Sequence, residues 1–175
     1  IAKQFTKGEK VKAMLTALLV PVWWIKLMYF AEIQLSDTAV ILFSSGSEGA
    51  PKGIEISHKN LLTNIKQVSE LLNFHKEDVI LKSLPIFHSF GLTVTTLLPL
   101  CEGIKMVSVA DPTDGAEVGK MCARHNVSIL FGTSTFFRLY TRNKKLHPLM
   151  LQSVRMVIAG AEKLKPDVKE AFRLK

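Results

Sequence analysis

Cysteine is nearly missing from this sequence: Cys101 and Cys122 are the only two among 175 residues. Two thiols so far apart make neither a disulfide framework nor a paired-cysteine metal site, and they favour a reducing, cytosolic setting. Both are expected to be buried. No His-Glu-x-x-His and no closely spaced His/Cys set occurs either, so no protein-held metal is expected within the chain. The longest apolar run, Ala13 to Ile25 with its extension Leu27 to Ala31, is broken by Pro21 and Lys26 and falls short of the roughly 20 apolar residues that a membrane span needs. No small-residue cleavage site follows Trp23 and Trp24, which excludes a signal peptide. Residues 1–35 therefore read as an amphipathic leader or linker helix, either buried against the rest of the protein or lying on a membrane or partner surface.

Acidic residues are also scarce, 15 against 23 Lys and Arg, for a formal charge of +8. That balance suits anionic partners: nucleotides, nucleic acid, lipid headgroups or acidic carrier proteins. The basic residues are scattered, with only Arg142 to Lys145 clustered, and no aromatic residues interleave with them as a single-strand binding groove requires. No nucleic-acid partner is expected. The apolar fraction of 47% in 175 residues supports one domain with a real core. The chain starts at Ile1 without an initiator Met and stops at Lys175 inside a helical pattern, so it is expected to be part of a longer protein.

After Leu35 short apolar runs alternate with amphipathic segments, the pattern of an α/β fold with a mainly parallel, doubly wound sheet flanked by helices. Ala39–Phe43 is the first expected strand and Gly53–Ser57 the second. Ser57 caps a helix in which Leu61, Ile65, Val68 and Leu72 recur at helical spacing. Val79–Leu84, Lys105–Ala110, Ser128–Phe131 and Arg155–Ala159 read as further strands. Helices are expected from Asp114 to Asn126, from Thr133, and from Pro166. Phe90–Leu100 is ambiguous, its threonines favouring β and its length favouring a buried helix; helix is the expectation.

One loop carries chemistry. Phe43-Ser44-Ser45-Gly46-Ser47-Glu48-Gly49-Ala50-Pro51-Lys52-Gly53 leaves a strand and gathers glycines, serines and a lysine into one turn region. Glycines let backbone N–H groups approach phosphate oxygens, the hydroxyls add hydrogen bonds, and Lys52 adds a full positive charge. The string is not the P-loop of the NTPases, since Pro51 and Lys52 stand where that motif needs Gly and Lys, and it lacks Gly-x-Gly-x-x-Gly. By composition alone such a stretch is more often a plain connection than a nucleotide site.

The full string resembles the phosphate-binding signature of the adenylate-forming (AMP-binding) superfamily. Two further stretches agree in order: Pro85-Ile86-Phe87-His88-Ser89-Phe90-Gly91 resembles the family's aromatic-and-histidine motif, and Ala159-Gly160-Ala161-Glu162 resembles its adenine-receiving turn. Glu48, the run His88 to Val94, Phe131-Gly132-Thr133-Ser134-Thr135-Phe136 and Gly160 to Leu164 resemble in particular the acyl-[acyl-carrier-protein] synthetase branch, the synthetase part of bifunctional 2-acylglycerophosphoethanolamine acyltransferases. The resemblance implies that residues 36–175 are a partial N-terminal domain without the C-terminal catalytic subdomain.

It further implies activation of a fatty acid by ATP, with Mg²⁺ carried on the nucleotide, followed by thioester formation with acyl carrier protein or CoA at the cytoplasmic face of a bacterial inner membrane. By the same resemblance Ser44, Ser45, Gly46, Ser47, Glu48, Gly49 and Lys52 bind phosphate, Glu48 without a chemical role. His88 orients the carboxylate and α-phosphate, and Gly160, Ala161 and Glu162 frame adenine. His88 as a plain helix cap, and 160–162 as an ordinary turn, are the alternatives. The family's Tyr-Gly-x-x-Glu motif, ribose-binding Asp and C-terminal catalytic Lys are absent, as is the His-x-x-x-x-Asp of the acyltransferase half. A long-chain acyl-CoA ligase and a non-catalytic nucleotide- or membrane-binding module stay open beside the synthetase.

Overall fold

The computed structural model describes residues 6–29, 32–45 and 51–175. The chain divides into two compact units, Ile1–Asp37 and Thr38–Lys175.

In the first unit, helix α1 (Lys7–Leu19) opens on a capping box: Thr6 Oγ1 accepts from the Glu9 N–H at 3.3 Å, and the Glu9 carboxylate accepts from the Thr6 N–H at 2.7 Å. It stops at Val20, which precedes Pro21 and is forced out of the helical region (φ −96°, ψ 127°). Helix α2 (Val22–Tyr29) restarts at once, with Trp23 and Trp24 stacked edge to face at 5.2 Å. No helix among the described residues is long and apolar enough to cross a membrane.

The second unit begins with strands β1 (Thr38–Ser45) and β2 (Pro51–Ser57), which pair antiparallel with Leu42 opposite Ile54 and Ser44 opposite Lys52. These two strands form an antiparallel sheet of their own, apart from the four-stranded one. Pro51 stands at the head of β2, where a missing N–H costs little. Ser57 then caps α3 (His58–Leu72) through a capping box with Asn60, and Asn73 ends it in the left-handed conformation (φ 47°).

The main sheet has the order β4–β3–β5–β6, all parallel: β3 (Val79–Lys82), β4 (Lys105–Ser108), β5 (Ile129–Gly132) and β6 (Met156–Ala159). Strand alternation divides two cores between its faces. Val79, Leu81 and Leu130 join Val118, Cys122, Phe137, Tyr140 and Val168 on the face covered by α6 (Gly115–His125), α7 (Ser134–Arg142) and α8 (Pro166–Arg173). Ile80, Ile129 and Phe131 point the other way, onto Ile65 of α3 and onto Val94 and Leu98. Helices on both faces of a parallel sheet are the doubly wound arrangement anticipated from the pattern.

The ambiguous segment is helical throughout but not regular. Helix α4 (Ser89–Leu92) widens into a π-helical turn at Thr93–Leu97 before α5 (Leu98–Glu102). The hydroxyls of Thr95 and Thr96 both donate to the Gly91 carbonyl, at 2.7 and 3.4 Å, drawing the ladder out of α register. Only Cys122 is the buried thiol expected, its pKa pushed up by burial to about 12. Cys101 is exposed, because α5 turns Leu98 and Pro99 inward and leaves its last turn to solvent.

Candidate functional site

A parallel sheet presents the ends of its strands on one edge, and loops that reverse direction there leave a crevice. Here β3 leads outward to β4, whereas β5 is inserted on the other side of β3 and leads to β6. The switch point therefore lies between β3 and β5. At their carboxyl ends a cavity of about 310 Å³ is lined by Leu84, Pro85, His88, Ser89, Thr133 and Ala161, among others. A second cavity, about 440 Å³, runs from His88 and Ser89 to Leu42, Ser44, Ile54 and Ile56 of the hairpin. His88 and Ser89 belong to both. A larger groove of about 540 Å³ at Asn73–Lys76 and Glu102–Ile104 lies at the amino ends of β3 and β4 and holds none of the motif residues.

His88 is exposed and stands at the N-cap position of α4 without making a side-chain cap bond. Its ring lies 4.8 Å from that of Phe87. The loop is set by close backbone packing: a Cβ on Gly91 would fall 2.2 Å from the Pro85 carbonyl oxygen, so only glycine fits where the chain doubles back.

At the hairpin, the register puts Ser44 and Lys52 opposite each other on the face that also carries Leu42 and Ile54. Lys52 is exposed, and the segment it adjoins is residues 46–50. Gly46, Ser47, Glu48 and Gly49, named from the sequence as phosphate-binding, lie outside the described residues, and so does the side chain of Ser45.

At the end of β6, the Gly160 N–H donates to the Gly132 carbonyl at 3.0 Å, and Ala161 adopts a left-handed φ of 64°, rare for a residue with a Cβ. The Glu162 carboxylate turns back onto helix α7, where Oε1 accepts from the Thr135 N–H at 2.6 Å. This bond, with the nearby hydroxyls of Thr135 and Thr133, holds its pKa below the usual carboxylate value. Among the described residues no group of three or more His, Cys, Asp or Glu could hold a metal ion.

The structure thus brings His88 and Ala161 to one cavity and His88 and Ser44 to the adjoining one. Phe90, Thr133 and Phe136 line the first cavity as well and had no site role in the sequence reading. Thr133 carried a signal, since a helix cap following a buried strand places its residue at the sheet's carboxyl edge.

The sequence matches the description "AMP-binding enzyme" over residues 4–175. It is 31% identical over 149 residues to 4-coumarate–CoA ligase 3 of Oryza sativa subsp. japonica, covering 83% of this chain and 27% of that protein. It is 28% identical over 145 residues to the long-chain-fatty-acid–CoA ligase of Escherichia coli O6:H1, covering 81% and 26%. The ATP-bound crystal structure of MatB from Rhodopseudomonas palustris superposes with a TM-score of 0.74 at 28% identity, over 83% of this chain and 28% of that one. The chain therefore spans about a quarter of the length of the curated relatives it matches. With the match running over almost its entire length and its sheet flanked by helices like that of an adenylate-forming N-terminal domain, the chain belongs to the AMP-binding enzyme family.

Proposed function

We propose that this chain is the ATP- and acyl-binding portion of an acid–thiol ligase that activates a fatty acid as its acyl-adenylate and passes the acyl group to the phosphopantetheine thiol of acyl carrier protein, in phospholipid acyl recycling. One observation carries this: two motifs far apart in sequence, around His88 and around Ala161, meet in a single cavity at the switch point of the sheet, and His88 also faces the paired strands that flank the Ser/Gly-rich segment in the sequence.

A carboxylate oxygen of the fatty acid attacks the α-phosphorus of ATP, the bond to the β-phosphate oxygen breaks, and pyrophosphate leaves. The developing charge sits on the leaving oxygens, so donors aimed there lower the barrier. Ser44, Ser45, Gly46, Ser47, Gly49 and Lys52 would grip the β- and γ-phosphates, with Glu48 part of the loop but without a chemical role. Mg²⁺ bound to the triphosphate would share its charge. His88 would orient the carboxylate and α-phosphate, and Gly160, Ala161 and Glu162 would frame the adenine largely through their backbone. In the second half-reaction a thiolate attacks the acyl carbon and AMP departs.

The relatives favour a second acceptor: they are CoA ligases, one of them acting on long-chain fatty acids. Thioester formation by the full-length enzyme, offered acyl carrier protein and CoA in turn, separates the two. Titration of the 175-residue chain with ATP should give measurable affinity that Lys52→Ala weakens roughly ten- to a hundredfold, the effect of losing one charge-assisted contact. Vesicle binding without nucleotide affinity would instead favour an interaction module.

A further inference from the structure

We propose that Phe90 and Glu162 are positioning residues that clamp the Gly160–Glu162 turn into the shape in which it walls the His88 cavity; as a role in nucleotide binding this rests on the function proposed above. Neither residue acts by touching the reacting atoms.

The first half of the clamp is steric. A Cβ built on Gly160 would lie 2.5, 2.7 and 3.0 Å from three ring atoms of Phe90, so the ring occupies the space against the Gly160 backbone. Phe90 is itself held edge-on by Phe131 of β5, with centroids 6.2 Å apart at 79°. It lies two residues after His88, in the helix that His88 opens. The ring therefore couples the His88 loop to the end of β6.

The second half is polar. Glu162 Oε1 accepts from the Thr135 N–H at 2.6 Å, meeting one of the free donors at the start of the nine-residue helix α7. A little farther on, the Lys165 N–H donates to Ser134 Oγ at 3.2 Å. The turn is thus tied by its start to Gly132 and Phe90, and by its exit to the first turn of α7. Between the ties stands Ala161, left-handed at φ 64° and lining the cavity. A conformation that an alanine seldom adopts persists only where its surroundings over-determine it. Because its carboxylate is occupied by α7, Glu162 serves the site through the backbone of the turn and not through its carboxylate.

The test uses the 175-residue chain, with ATP affinity by calorimetry and exchange of the Thr135 amide by NMR. Glu162→Ala should accelerate Thr135 exchange at least tenfold and weaken ATP binding at least fivefold, while Glu162→Gln, which keeps an acceptor oxygen, should retain most of both. Phe90→Ala, or Phe90→Leu if the alanine variant does not fold, should weaken ATP binding similarly. Gly160→Ala should then cost affinity in the native background but much less beside Phe90→Ala, a coupling that independent residues would not give. ATP affinity unchanged within twofold in Glu162→Ala and Phe90→Ala overturns the proposal, and so does Glu162→Gln failing as badly as Glu162→Ala. If the native chain binds no ATP, the proposed function fails separately; Thr135 exchange unaffected by Glu162→Ala would then sink the clamp as well.

Discussion

Arg155 holds Asp78 in a two-pronged ion pair, its Nε 2.8 Å from Oδ1 and a terminal nitrogen on Oδ2. The same carboxylate, nearly inaccessible to solvent, accepts from Ser128 Oγ at 2.7 Å and from the His75 N–H at 2.7 Å. Asp78, Ser128 and Arg155 immediately precede β3, β5 and β6, so the knot ties the amino ends of three neighbouring strands. The His88 cavity lies at their carboxyl ends. Rigidity at one edge of the sheet lets the loops at the other be shaped for binding.

Removing the carboxylate leaves a guanidinium, a hydroxyl and an N–H without their acceptor. Asp78→Ala should therefore destabilise the chain by on the order of 3 kcal/mol, toward the low end for a buried pair because Arg155 keeps some solvent contact. Hydrogen bonds to Arg155 hold the Asp78 pKa far below the usual value, so the native state binds its proton less readily than the unfolded chain. The sign follows: the stabilisation is complete above the unfolded carboxylate value of about 4 and is lost as pH falls toward the depressed native value. Chemical denaturation from pH 7 to pH 3 should show a declining stability whose slope is reduced in Asp78→Asn; equal slopes would contradict the pairing.

Gly91 makes a different demand. Its missing Cβ is what lets the chain pass over the Pro85 carbonyl, and a backbone atom cannot swing aside as a side chain would. Gly91→Ala should cost about 2–3 kcal/mol by overpacking and displace the His88 loop. Thermal unfolding measures the first effect, and the chemical shifts of the His88 ring measure the second. A variant as stable as the native chain would mean that the loop packs less closely.

What could be read beforehand follows from how local the physics is. The alternation of Val79, Ile80 and Leu81 between two cores and the Asp114 cap, which accepts from the Ala116 and Glu117 N–H groups at 3.0 Å, are written in a few adjacent residues. The hairpin was not legible, because a Ser/Gly/Pro-rich stretch looks alike whether it reverses the chain between paired strands or leads into a crossover. The π-helical turn depends on where Thr95 and Thr96 send their hydroxyls. Within the candidate site the motifs at His88 and Gly160 stood out as strings. Thr135, the anchor of Glu162, is 27 residues away, and no pattern in the sequence joins them.

Ala161 offers a test of strain. Alanine at a positive φ is disfavoured by about 1–2 kcal/mol relative to the right-handed region, and glycine removes that penalty while adding back some unfolded-state entropy. Ala161→Gly should leave stability unchanged or raise it by about 0.5–1 kcal/mol, whereas Ala161→Val should lower it by about 2 kcal/mol, since a β-branched residue tolerates that conformation worst. Denaturant midpoints distinguish these outcomes. A valine variant as stable as the glycine one would show that the turn is not left-handed in solution.

His88 allows the two readings of its role to be separated by stability and activity together. A capping histidine would accept a hydrogen bond from the first turn of the helix, and its loss would cost about 1 kcal/mol. Here the side chain occupies the cap position without making that bond, is exposed, and lies between two cavities. His88→Ala should therefore change the unfolding free energy of the 175-residue chain by no more than about 0.5 kcal/mol, the range of an ordinary surface substitution. Under the function proposed above, the same change in the full-length protein should slow fatty-acid-dependent exchange of pyrophosphate into ATP by roughly a hundredfold, the loss expected when an orienting or charge-stabilising group is removed. Lost stability with intact exchange would return His88 to the role of a cap, because a residue that only ends a helix contributes to folding and not to the reaction.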